Sequence, residues 1–75
     1  MNVCNMKRGE RAVVLKVELD PPERERLRAL NVHAGAPIQL LKVSLLKKTY
    51  LLQAKSAKIA LGREVAAGIR IWKTK

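Results

Sequence analysis

A chain of 75 residues with 48% hydrophobic side chains has room for one packed domain and too much apolar content for disorder. With no Phe, one Trp and one Tyr it has few rings on which to stack bases, and a single cysteine forms neither an internal disulfide nor, unaided, a zinc site. The +10 formal charge lies wholly in residues 26–75, where eleven Lys/Arg stand against Glu64 alone; residues 1–25 hold five of each sign. Such an excess suits an acidic counterpart: nucleic acid, an anionic membrane surface, or an acidic protein face.

In chain order, residues 1–6 form a lead-in with Val3 and Met6 available for packing, and Lys7-Arg8-Gly9-Glu10 is a polar turn. Ala12 to Val17 is β-branched and apolar, a strand whose alternation breaks unless a bulge lies near Leu15-Lys16. A helix follows. Asp20 is placed as N-cap, Pro21 as first helical residue, and Glu23 completes an Asp-x-x-Glu capping box. Leu27 and Leu30 share one face, Asn31 takes the left-handed position after the helix, and Val32 makes the closing apolar contact. So short a helix has no stability of its own and must lie on a sheet.

Ala34-Gly35-Ala36-Pro37 turns the chain into a strand from Ile38 to Val43. A basic hairpin around Lys47-Lys48 leads to a second strand from Tyr50 to Ala54. Lys55-Ser56 turns into Lys58–Leu61, Gly62–Ala67 reads as one 3₁₀ turn, and Ile69 and Ile71 alternate in a closing strand. Five short strands with one helix after the first predict a mostly β fold, a small, partly open five-stranded β-barrel, as a single domain over residues 1–75. Its core is expected to join Ala12, Val14, Leu27, Leu30, Val32, Ile38, Leu40, Leu52, Ile59, Leu61, Ile69 and Ile71.

The order and spacing of Gly9-x-x-Ala12-x-Val14-x-x-Val17, Arg26-Leu27-x-x-Leu30-x-Val32-x-x-Gly35-x-x-Ile38, Ile59-Ala60-Leu61 and Ala66-x-x-Ile69-x-Ile71 resemble ferrous iron transport protein A, the FeoA domain. The resemblance spans residues 6–73. It implies an SH3-like barrel serving as a small cytoplasmic accessory to the membrane ferrous-iron transporter, protein B, which carries a GTPase domain. Three positions depart from the family pattern: Asn31 and Ser56 stand where glycine is usual, and Ala34 where proline is usual.

No nucleophile–base pair is visible, so the chain reads as a non-enzyme without catalytic residues or cofactor. His33 and Cys4 have no further ligand at metal-site spacing; a solvated histidine and an inert thiol in a mobile N-terminus are the readings they support. Leu41, Leu45, Leu46 and Leu51 exceed what the inward face of a small barrel holds, which points to a partner or to self-association. Together with Lys47, Lys48 and the helical pair Arg24 and Arg28, Leu45 and Leu46 compose the expected docking face for the transporter's cytoplasmic domain. The rival expectation is a basic barrel that binds nucleic acid, and proximity to the inner membrane surface, without a span, fits the charge.

Overall fold

Alternation of inward and outward side chains decides the strands, and their bulges decide the curvature. In the computed structural model, which describes residues 1–74, β1 (Arg11–Val17) buries Ala12, Val14 and Val17. Its register against the last strand slips between Val14 and Lys16, so Leu15 is the extra residue of the expected bulge. β2 (Pro37–Val43) buries Ile38 and Leu40 and then slips at Leu41, a second bulge that the spacing of its apolar residues does not announce. β3 (Thr49–Ala54) buries Tyr50, Leu52 and Ala54, β4 (Ala57–Gly62) buries Ile59 and Leu61, and β5 (Ile69–Thr74) buries Ile69 and Ile71. These side chains meet Val3, Met6, Leu27, Val32 and Ala66 in one core.

The strands form an antiparallel sheet in the order β4-β3-β2-β1-β5, and the sheet does not close. Of the expected barrel, the five strands and the helix after the first are present, but the sheet is fully open between β4 and β5. The link from β4 to β5 is a helix, α2 (Arg63–Ala67), which packs against both strands and buries Ala66 at the seam. The outer edge of β5 is taken by the N-terminus: Asn2 bridges Arg70, and the Ile71 N–H donates to the Met1 carbonyl at 3.0 Å. That pairing leaves β5 no free edge for β4 there. The N-terminus is accordingly an ordered part of the sheet, with a 3₁₀ turn at Val3–Asn5 closed by a reciprocal Asn2–Asn5 cap. The segment expected as a 3₁₀ turn, α2, is α-helical.

Helix α1 (Pro21–Ala29) starts as expected at Asp20, but without the capping box: the Asp20 side chain makes no cap hydrogen bond. Pro21 and Pro22 have no N–H, so fewer amides at this end need a partner, although the Glu23 N–H that a capping box would bind is present. The far end is a Schellman closure. Asn31, at φ 69°, donates to the Arg28 carbonyl at 3.0 Å, and Val32 donates to that of Leu27 at 2.9 Å. Leu27 and Val32 are fully buried. Leu30 is not a core residue; it caps the helix and is 37% exposed, since the chain turns away there and Val32 takes the inward position. In the Lys55-Ser56 turn the left-handed residue is Lys55, so serine in place of glycine at 56 meets no positive φ.

Candidate functional site

The six residues expected to form one docking face fall into two groups. The β1–β2 ladder pairs Arg11 with Gln39 and Val13 with Pro37. Beyond Val13, β1 runs on to Val17 and α1; beyond Gln39, β2 runs the other way to Val43 and the hairpin. Arg24 and Arg28 therefore stand at one end of the ladder, and Leu45, Leu46, Lys47 and Lys48 at the other.

At the α1 end, Arg24 and Arg28, one helical turn apart, line a recess with Leu15, Val32, His33 and Ala34. Leu15, at the bulge, faces outward there and is 54% exposed, and the bulge turns the next residue, Lys16, outward as well. Among the described residues neither arginine is in an ion pair, whereas Arg26 points elsewhere and bonds Glu23 at 2.8 Å. His33 is exposed on the recess wall, its Nδ1 3.1 Å from the Ala34 carbonyl oxygen. Next to this end the Arg70 guanidinium hydrogen-bonds Glu18 and, with a smaller contribution from Lys16, holds that carboxyl below its ordinary range.

At the hairpin end, Leu45 is 98% and Leu46 68% exposed, while Leu41 and Leu51 are half-buried along the strands. Lys47 lines a recess with Lys7 and Arg8, because the Gly9 N–H donates to the Leu40 carbonyl at 2.7 Å and ties that turn to β2. Lys48 lies beside α2, its carbonyl accepting the Arg63 N–H at 3.1 Å. The Lys7 N–H and the Lys73 ammonium hold the Glu10 carboxyl below its ordinary range. Cys4 is half-buried in the ordered N-terminus rather than mobile, its Sγ 3.6 Å from the Arg63 carbonyl. Burial, and then the contact with Cys4, raises the neighbouring Tyr50 hydroxyl above its ordinary value.

Two associations escape the sequence. The bulge implied that Leu15 or Lys16 must turn outward, but not that Arg24, Arg28 and His33 would share its recess. The approach of Lys7-Arg8 to Lys47 depends on one backbone hydrogen bond from Gly9, which no spacing announces. Among the described residues no three His, Cys, Asp or Glu side chains gather as a metal site, and no helix is long and apolar enough to cross a membrane.

The model of the FeoA domain family matches residues 1–72. The chain belongs to the FeoA family. A solution structure of the FeoA protein from Chlorobium tepidum superposes with a TM-score of 0.94 at 27% identity, over 100% of this chain and 71% of that one. A crystal structure of Stenotrophomonas maltophilia FeoA, described as an SH3 domain protein complexed with zinc and suggested as a ferrous iron transport activating factor, gives 0.82 at 20% identity, over 95% and 88%. A manganese-dependent transcriptional repressor gives 0.81 at 16% identity, over 92% of this chain and 39% of its own, a likeness of fold. No curated protein matches the chain. This FeoA domain thus has an SH3-like fold, drawn as an unclosed sheet, in a family named for ferrous iron transport.

Proposed function

We propose that this FeoA domain is a cytoplasmic accessory module without catalytic activity of its own. It docks on the cytoplasmic domain of the membrane ferrous-iron transporter that carries a GTPase, a FeoB-like protein, and modulates its assembly or nucleotide cycle. Family membership supplies the pathway; the α1 recess is the observation that carries the docking. Two arginines without ion-pair partners beside an apolar wall form the arrangement in which charge steers encounter and buried carbon area holds the complex. An acidic segment with one or two aliphatic side chains is the matching ligand.

The test is a binding measurement between the chain and the transporter's isolated cytoplasmic domain across a salt series. Arg24→Glu with Arg28→Glu is expected to weaken binding at least about tenfold and to flatten its salt dependence. Binding indifferent to this pair would place the contact elsewhere.

The basic nucleic-acid reading finds little support in the exposed rings. Tyr50 is buried, which leaves Trp72 as the one aromatic side chain at the surface among the described residues. Weak binding to duplex DNA that vanishes near physiological salt is expected. Submicromolar binding that persists there would replace the docking reading.

A further inference from the structure

The hairpin between β2 and β3 spends two leucines where its turn needs none. The turn is closed by the Lys47 N–H donating to the Ser44 carbonyl at 2.8 Å, and by Ser44 Oγ accepting from the Lys48 and Thr49 amides, each at 3.0 Å. Turns of this kind favour Gly, Pro, Asn, Asp and Ser at their centre, and nothing in these bonds calls for Leu45-Leu46. Leu45 is almost wholly exposed, so no neighbouring side chain flanks it and the tip is convex. Ser44 holds the apex in one shape, which lowers the entropy lost when it engages a partner.

Cations stand behind the apex on both sides. Lys7 and Arg8 join Lys47 beside β2, and Arg63 joins Lys48 beside β3. Two acids lie near them: Glu10, already held by the Lys7 N–H and by Lys73 at 3.2 Å, and Glu64 on α2.

We propose that this tip inserts into the interfacial region of an anionic lipid bilayer. Leu45 and Leu46 enter the acyl boundary while Lys47, Lys48, Lys7, Arg8 and Arg63 meet lipid phosphates. A protein that received a convex leucine pair would have to offer a pocket of matching shape; a bilayer needs none. Cations on two sides of an apex match a laterally uniform sheet of negative charge better than a single acidic patch. The α1 recess, at the other end of the ladder, is then turned away from the lipid. The inference does not depend on the transporter reading, although a membrane-attached module would meet a membrane transporter at raised local concentration.

The experiment is co-sedimentation of the full chain with vesicles of phosphatidylcholine, with and without phosphatidylglycerol, at low and physiological salt. Binding is expected only where phosphatidylglycerol is present, and it should weaken as salt rises. Lys47→Ala and Lys48→Ala should each lower the affinity about fivefold. Leu45→Ser with Leu46→Ser should lower it at least about tenfold at an unchanged melting temperature, since both side chains are exposed in the folded chain. A Leu46→Trp variant in a Trp72→Phe background should shift its emission to the blue on phosphatidylglycerol vesicles.

Absence of binding to phosphatidylglycerol at low salt overturns the proposal. So does full retention of binding in the double serine variant with no emission shift, which would leave surface adsorption alone. Loss of transporter binding in that variant with vesicle binding intact would assign the tip to a protein contact and overturn it equally. The docking reading is judged separately, on Arg24 and Arg28 and without vesicles, so either can fail while the other stands.

Discussion

At the α1 end of the β1–β2 ladder, Leu27 is fully buried and Arg24 and Arg28 flank a recess; at the hairpin end, Leu45 stands in solvent with Lys47 and Lys48 behind it. The ingredients are the same, leucine with long cationic side chains, and the outcomes are opposite. What differs is the backbone that carries them. Two prolines start α1 at a defined residue and a Schellman closure ends it, so its inward face is fixed and Leu27 meets the sheet. The hairpin leaves the sheet at Val43 and returns at Tyr50, and among the described residues none covers Leu45 at its apex. Burial belongs to the position, not to the residue type.

The comparison breaks most visibly under truncation. Leu27→Ala removes a fully enclosed side chain and is expected to cost about 2–5 kcal/mol, a large share of what a domain of this size commands. Leu45→Ala is expected to change stability by less than about 0.5 kcal/mol. Paired melting or urea titrations of the two variants decide the matter. Equal losses would mean that the tip packs against something in solution, self-association included.

How much of this could be read beforehand follows the same line. The strands, the bulge at Leu15 and the left-handed Asn31 were legible because each is written in a few neighbouring residues: broken alternation, or an asparagine four places after an apolar helical position. Eleven of the twelve expected core residues are buried, and Leu30 fails because helical spacing continues on paper past the point where the backbone turns. The open seam was not legible, since it depends on Met1 and Asn2 reaching β5 from about seventy residues away in the chain. The exposure of Arg24, Arg28, Leu45, Leu46, Lys47 and Lys48 was legible, but their division between two ends follows from a register between β1 and β2 that no local pattern encodes.

A middling effect is expected where the chain passes from β1 toward α1. Gly68 follows α2, and its carbonyl accepts the Glu18 N–H at 2.7 Å. A β-carbon there would lie 2.5 Å from Leu19 Cδ2, 2.9 Å from Leu19 Cγ and 3.0 Å from the Glu18 carbonyl oxygen. The backbone of Gly68 is ordinary at φ −85°, so the cost of Gly68→Ala is crowding rather than strain, about 1–3 kcal/mol. Leu19→Ala should relieve most of it in the double variant, by a positive coupling in a thermodynamic cycle. Additive losses would show that the Glu18 backbone, not the Leu19 side chain, sets the limit.

The smallest effects sharpen the comparison through two of the non-glycine residues in the left-handed region, one at each end: Asn31 at φ 69° and Lys47 at φ 54°. Glycine relieves the steric cost of that conformation but adds freedom to the unfolded chain, so the two contributions oppose each other. Asparagine already tolerates the region, and Asn31→Gly is expected to move stability by only a few tenths of a kcal/mol. Lysine tolerates it less well, and Lys47→Gly is expected to raise stability by up to about 1 kcal/mol. Function should move the other way: Lys47→Gly removes a cation from the hairpin end and should weaken vesicle binding about fivefold, while Asn31→Gly should leave it unchanged. The two ends are therefore separated by a pair of substitutions of one chemical kind, read by a melting curve and a vesicle titration. If Lys47→Gly stabilised the fold and left vesicle binding intact, the hairpin lysines would be ordinary solvated charges and the contrast between the two ends would be one of shape alone.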